Sequence, residues 1–424
     1  MIGFIGLSHL GIVYGTATAA KGFDMLGFDP DAALCEALAA GRLPVAEPGL
    51  DALSATHRAR LHFTADPARL AACQVVFFSR DVPTDSENRS DLGPLHQLIA
   101  LAAPHLAPDA VVVILCQVPP GFTRALIDEY PSLASRLYYQ VETLIFGAAV
   151  ERARRPERYM IGCADPAAPL PPAYKQWLDA FACPLLPMRY ESAELAKIAI
   201  NCYLVSSVST TNTLAEICEH TGADWSEIAP ALRLDRRIGP HAYLTPGLGI
   251  AGGNLERDLV TVRTLSAQHG TESGTVSAWQ LNSRYRRDWA LRKIHALVFS
   301  QNPEARLAIW GLAYKQDTHS TKNSQSLALI ESLACAPLTA YDPQVRLAGG
   351  AIANLRQAPS ALEACHNADA LVVMTPWKQF TSIAPAEIKA ALRGHIVIDP
   401  LRTLDPAACK AAGLTVHQLG AAAN

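Results

Sequence analysis

The sequence predicts an α/β protein of two doubly wound parallel sheets joined by one long central helix. Three observations carry this. Short apolar runs alternate with helical patterns at both ends of the chain, which is the pattern of parallel strands with crossover helices. The first run ends in Gly6-Leu7-Ser8-His9-Leu10-Gly11. Between the two sets, the stretch from Glu191 to His220 holds neither glycine nor proline, and so reads as a helix of roughly thirty residues.

In the first set, residues 2–5 are apolar and precede the glycine turn, and a helical pattern follows through Ala20. A second short strand, Met25 to Phe28, ends at Asp29. Strand, glycine turn, helix, strand and acid form the Rossmann-like dinucleotide-binding arrangement. Gly6 permits the tight turn, Gly11 lets the helix pack close, and the helix N-terminus faces a pyrophosphate. A carboxylate at Asp29 is placed for ribose hydroxyls and would repel a 2′-phosphate, so NAD is expected rather than NADP. Ser8 departs from the pattern, occupying the position of the middle glycine. Further strands are expected at Val75–Ser79, Val111–Leu115, Tyr138–Val141 and Met160–Gly162. Cys116-Gln117 then opens a loop, Val118-Pro119-Pro120-Gly121, at the carboxyl end of a buried strand, where open α/β sheets bind ligands.

On the central helix Lys197 and Asn201 are four residues apart and share a face. Leu195, Ile198, Ala199, Leu204 and Val205 imply that the helix is largely buried, and a desolvated lysine can serve as an acid or base near neutral pH. Beyond it lies Pro246–Asp258, P-G-L-G-I-A-G-G-N-L-E-R-D, compatible on composition with a flexible connector or with a turn that approaches a ligand. The second set of strands runs Ala305–Gly311, Leu338–Tyr341, Ala370–Thr375 and His395–Ile398. No glycine fingerprint follows Gly311, so that sheet is expected to hold the anionic half of a substrate rather than a second dinucleotide. Gly420–Asn424 are expected to fray. The domains are drawn at 1–188 (NAD-binding), 189–298 (central helical and dimerisation region with the glycine-rich loop) and 299–424 (nucleotide-binding).

Composition narrows the function. Half of the 424 residues are hydrophobic and 18% are charged, which suits a well-buried enzyme. A net charge of −3 gives no reason to expect nucleic acid or an anionic membrane, and no apolar run is long enough for a transmembrane helix. Ten cysteines stand singly, without a C-x-x-C pair, as expected of reduced cytoplasmic thiols rather than a disulfide framework or metal site.

These pieces, in this order, resemble the UDP-glucose/GDP-mannose dehydrogenase family. The similarity rests on the opening fingerprint, the Val-Pro-Pro-Gly loop, Glu191-x-Ala-Glu-Leu-x-Lys197, Arg237-Ile-Gly-Pro, the glycine loop and Gly311-Leu-Ala-Tyr-Lys315. The resemblance implies oxidation of a nucleotide-sugar 6-hydroxymethyl to a carboxylate with two NAD, by way of a thiohemiacetal and thioester on a loop cysteine. Lys197, Asn201 and Asp258 match the family's proton- and oxyanion-handling residues. Glu142 matches the first of two loop glutamates, the second being replaced by Phe146. Arg237 matches an arginine reaching a neighbouring subunit's substrate, and Lys315 matches a substrate-binding lysine. Gly249 and Asn254 of the loop are expected against the substrate, and Gln117 and Lys322 against the cofactor, where the family has a threonine and an arginine. Further departures are His319-Ser320 in place of an Asp-Asp pair and Leu401 in place of an arginine, with Arg402 displaced by one.

The largest departure is Asn254, which stands where the family has its cysteine. An amide cannot form the thiohemiacetal. The expectation is therefore an NAD-dependent alcohol dehydrogenase that performs a single two-electron oxidation, or its reverse, on a nucleotide-linked substrate, as a homodimer through the central helix. Lys197, directly or through a water held by Asn201 and Asp258, would take the hydroxyl proton. The alternatives are a four-electron oxidation through an aldehyde hydrate, with Glu142 or Asp258 activating water, and a non-catalytic nucleotide-binding homologue.

Overall fold

A computed structural model describes every residue except Gly252, Gly349, Ala351, Ala423 and Asn424. The chain divides into two compact units, Met1–Ile200 and Asn201–Asn424. The division falls inside the central helix, Tyr190–Thr221.

The first unit holds eight strands: β1 (Ile2–Ile5), β2 (Met25–Phe28), β3 (Leu61–Thr64), β4 (Val75–Phe78), β5 (Val111–Ile114), β6 (Leu137–Gln140), β7 (Tyr159–Cys163) and β8 (Leu185–Arg189). They are ordered β3-β2-β1-β4-β5-β6-β7-β8. β1, β2, β4 and β5 are buried at every position, which is why they read as unbroken apolar runs: helices cover both faces of a parallel sheet. The order reverses between β1 and β4, and ligands bind at the carboxyl side of such a switch.

One pairing in this otherwise parallel sheet is reversed. β6 and β7 pair antiparallel, while β7 and β8 are parallel. β7 therefore starts at the end of the sheet where β6 stops, and the connection between them stays at that end. Its short helix, Ala149–Arg154, packs beside the first helix, His9–Ala20.

The second unit carries a fully parallel six-stranded sheet of β9 (Leu307–Trp310), β10 (Leu338–Tyr341), β11 (Leu355–Gln357), β12 (Ala370–Val373), β13 (Ile396–Ile398) and β14 (Thr415–His417), ordered β11-β10-β9-β12-β13-β14. Asp342, at the end of β10, is fully buried. Its Oδ2 accepts from Leu312 N (2.6 Å), Ala313 N (3.0 Å) and Trp377 Nε1 (3.1 Å), and its Oδ1 accepts from Gln344 N and Val345 N (both 2.8 Å). Trp225 N donates to Gly420 O at 2.8 Å, and Asp224 bridges Ala421. Gly420 and Ala421 thus do not fray as expected, because backbone pairing holds them; Ala423 and Asn424 lie outside the described residues.

Within this unit the central helix is fastened by charge. The fully buried Arg286 meets Glu216 at 2.7 Å and Glu219 at 3.9 Å, and Lys293 meets Glu219 at 3.2 Å.

Asp342→Ala removes the acceptor of five donors and leaves them buried. It should cost about 3–5 kcal/mol of stability, read as a lower urea midpoint.

Candidate active site

At the carboxyl end of β1 the chain turns through Gly6 at φ +90°, a region that glycine enters without strain. A Cβ on Gly11 would lie 2.3 Å from the Gly6 carbonyl oxygen and 2.7 Å from Ser79 Oγ. No side chain fits there, so the helix starts as close to the turn as two backbones allow. Ser8, at the head of this helix, does not cap it. Its hydroxyl donates to Ser79 O (3.2 Å) and accepts from Asp81 N (2.8 Å). The side chain is drawn to the end of β4, which explains how a serine is accommodated at the middle glycine position.

Asp29 is buried, and its Oδ2 accepts from Leu7 N (2.9 Å) and its Oδ1 from Asp31 N (3.0 Å). The carboxylate thus braces the glycine turn, and each oxygen keeps a lone pair for the hydroxyls of a ribose. Turn, helix start and acid fit a dinucleotide.

Further along the same edge, Glu142 follows β6. Its Oε1 lies 2.7 Å from Lys197 Nζ, and its Oε2 accepts from Leu144 N at 3.0 Å. Lys197 Nζ also donates to the Glu142 carbonyl oxygen at 3.1 Å. Both side chains are largely buried, at 12% and 14% exposure. Burial strengthens their attraction and raises the cost of removing either partner alone. The expected desolvated lysine is therefore present, already paired with a carboxylate. Gln117, after β5, is 8% exposed. One part of the expectation for the central helix fails: Leu195 is 48% exposed, because it points away from the face that carries Ala193, Lys197 and Ile198.

In the second unit Asn201 Nδ2 donates to Asp258 Oδ2 at 2.6 Å, and both residues are buried. The central helix carries Lys197 and Asn201 one turn apart. The glycine loop is a tied structure rather than a slack connector. Gly247 N donates to Asn212 Oδ1 (2.8 Å), Ile250 N to Ser283 Oγ (2.9 Å), and Gln325 Nε2 to Ile250 O (3.4 Å). Gly249 sits at φ +88°, where a Cβ would meet Ser283 O and Oγ at 2.6 Å, so that glycine serves packing within the loop. Asn254 is exposed and opens the helix Asn254–His269.

Three expected ligand contacts are less enclosed. Arg237 is 88% exposed and paired with Asp235 at 2.6 Å. Lys315 lies over the Tyr314 ring at 5.7 Å. Lys322 is exposed, in the second unit, where its charge acts on Glu256; Asn323 bonds the same carboxyl. Burial raises the Glu256 carboxyl above its usual range, and Asn323 and Lys322 oppose that.

Several residues of these groups carry no signal in the sequence. Cys202 is one: it follows Asn201, packs with the cluster that includes Ile250 of the glycine loop, and is reached by the charge of Asp258. Burial, and then Asp258, push its thiol up to about 11, which keeps it protonated and weakly nucleophilic at neutral pH. Glu47 and His9 are others; a glutamate before Pro-Gly and a histidine inside the fingerprint look like ordinary loop residues. Among the described residues no group of three or more His, Cys, Asp or Glu could hold a metal ion.

A glycine turn built for a dinucleotide and a buried lysine–carboxylate pair on the same sheet edge define the class, a nicotinamide-dependent oxidoreductase. Family models match along the chain: the NAD binding domain of the UDP-glucose/GDP-mannose dehydrogenase family over residues 1–177, its central domain over 191–284 and its UDP binding domain over 308–406. A UDP-glucose 6-dehydrogenase of Rhizobium meliloti is 30% identical over 94% of each chain, and one of Pseudomonas aeruginosa is 29% identical over 98% of this chain and 96% of its own. Two solved structures share the fold. A UDP-glucose dehydrogenase from Pyrobaculum islandicum has a TM-score of 0.82 at 23% identity, covering 96% of this chain and 97% of that one. A UDP-D-ManNAc dehydrogenase from Pyrococcus horikoshii has 0.85 at 21%, covering 99% of both. The chain belongs to the UDP-glucose/GDP-mannose dehydrogenase family: it is an NAD-dependent dehydrogenase acting on a CH–OH group of a nucleotide-linked substrate.

Cys202 provides a check on the chemistry. Alkylation by iodoacetamide should be slow at pH 7.5 and rise about tenfold per pH unit toward the thiol's pKa, and Cys202→Ser should keep turnover within about threefold. Mass mapping of the alkylated peptide and steady-state rates read the two outcomes.

Proposed function

We propose that the enzyme carries out a single two-electron oxidation of a nucleotide-sugar alcohol, or the reverse reduction, and does not proceed to a carboxylate. Asn254 carries this reading: it opens the helix where the family keeps its thiol, and the thiol that Asp258 influences, Cys202, is held protonated. Acyl transfer needs a nucleophile that can leave again, and a carboxamide is not one. The first oxidation needs only a positioned alcohol, a proton acceptor and a hydride acceptor. Bound NAD supplies the hydride acceptor.

The hydroxyl proton passes to the Lys197–Glu142 pair, whose two charges 2.7 Å apart let the pair take up a proton while the ammonium faces the developing alkoxide. Asn201, fixed by Asp258, orients the same oxygen or a water beside it. Gly6, Ser8, Gly11, Asp29 and Gln117 hold the cofactor. Arg237, Gly249, Asn254 and Lys315 serve the substrate, for which a UDP-linked sugar is the first choice because the curated relatives oxidise UDP-glucose by name. The three domains fall at 1–188, 189–298 and 299–424.

A homodimer is part of this reading. Tyr203 is 79% exposed and Ile217 52% on the central helix, and Leu281 60% on the helix Gly274–Arg287, large apolar side chains of the kind interfaces cover. The ten free cysteines suit a reducing cytoplasm.

Incubating the enzyme with NAD and a panel of nucleotide sugars should yield one NADH per substrate and a product two mass units lighter. Two NADH and a carboxylate would overturn the reading. Lys197→Ala should lower kcat by about 10²–10⁴-fold, measured by NADH absorbance. Tyr203→Glu should shift the species seen by light scattering from dimer to monomer.

A further inference from the structure

Glu47 is almost wholly buried, with its side chain 1% exposed, and lies outside every role assigned above. Its carboxylate gathers donors from two distant parts of the first unit. His9 Nε2, from the glycine turn, lies 2.8 Å from Oε1. Gly147 N donates to both oxygens, at 3.1 and 3.0 Å, and Ala149 N to Oε2 at 3.4 Å. Burying a carboxylate is costly unless its oxygens are satisfied, and here both are satisfied by joining the start of the first helix to the segment after β6. That segment is the one that carries Glu142. Phe146 closes the arrangement, its ring 4.3 Å from the His9 ring and inclined by 36°.

We propose that Glu47 and His9 form a latch that positions the Glu142–Lys197 pair. The segment 141–148 begins at β6, where Val141 N donates to Met160 O. Further on, Arg152 Nε holds Thr143 O at 2.6 Å, and at the far end Gly147, at φ +88°, hands its N–H to Glu47. Releasing that end lets the chain around Leu144 move, and Leu144 N is what Glu142 Oε2 holds. Phe146 stands where the family has its second loop acid. In this chain the negative charge at that end of the segment comes from Glu47 instead, and His9, not a loop side chain, answers it. Asp81 lies within electrostatic reach of both His9 and Glu142, Lys197 pairs with Glu142, and Arg152 holds the segment at Thr143 O. The positioning role rests on the reading of Glu142 and Lys197 as the proton-handling pair.

Amide hydrogen exchange on the ligand-free protein tests the latch without reference to turnover. In Glu47→Gln and His9→Leu the amides of Gly147 and Ala149, and that of Leu144, should exchange about ten to a hundred times faster, with β1 and β4 unchanged. The Leu144 amide reports on the placement of Glu142. His9→Gln, which keeps an N–H for Glu47, should restore most of the protection. In turnover, Glu47→Gln should lower kcat about tenfold or more with the KM for NAD within about threefold.

Unchanged exchange at Gly147 and Ala149 would overturn the latch. Fast exchange there with Leu144 and kcat unchanged would overturn its positioning role. Should Glu47→Gln fail to fold, the His9→Leu and His9→Gln pair carries both arms. Should the wild type turn over no nucleotide sugar, the proposed reaction fails while the Leu144 amide still decides the latch.

Discussion

Everything at the carboxyl edge of the first sheet depends on how closely one helix approaches one turn. The distance of 2.3 Å between an imagined Gly11 Cβ and the Gly6 carbonyl oxygen leaves no room for any residue but glycine. That approach directs the helix's free N–H groups at the edge of the sheet. A buried carboxylate then locks the turn: Asp29 accepts from Leu7 N, just as Asp342 accepts from Leu312 N in the second sheet. Gly6 and Gly311 take nearly the same backbone angle, φ +90° and +94°. The two sheets thus use one device, a positive-φ glycine held by an acid from the neighbouring strand. The first sheet opens it to a dinucleotide; in the second the acid's remaining capacity is filled by Gln344, Val345 and Trp377.

The frame was legible because physical necessity writes it into residue types. Gly6, Gly11 and Asp29 are recognisable since few other residues can do their work, and the uninterrupted apolar runs of β1, β4, β5 and β12 mark strands covered on both faces. The length of the central helix followed from the absence of glycine and proline. The sequence was silent where function depends on long-range meetings. Nothing near Glu47 says that its carboxylate will reach a backbone amide a hundred residues away, and nothing near Cys202 says that Asp258 will stand close enough to oppose its ionisation. The antiparallel step at β7 was likewise hidden, because a four- or five-residue apolar run carries no sign of its direction. Leu195 misled for a related reason: an aliphatic residue in a long helix reads as core, whichever way its face is turned.

Under the proposed reaction, two kinds of chemistry rest on different kinds of position. The residues proposed to handle protons form buried pairs, Lys197 with Glu142 and Asn201 with Asp258, that are costly to dismantle because losing one partner strands the other. Asn254, on which the proposed electron count turns, is instead exposed at a helix start. Asn254 has few packing obligations, so exchanging it disturbs little of the scaffold. Under the proposed reaction, residue 254 can therefore be exchanged at little cost to the fold, whereas neither partner of the buried pairs can.

The reversal of β7 has a consequence for how such an enzyme diversifies. Because β6 leaves the sheet and β7 enters it at the same end, residues 141–158 form an excursion whose two roots are fixed by strand register. Away from Glu142, Gly147 and the helix packed beside the first, its sequence can vary without sliding any strand against its neighbour. A crossover lying along the sheet face would have to keep its helix in register with the core beneath. Novelty in this enzyme thus has a sheltered place to accumulate, hinged on strands that need not adapt to it.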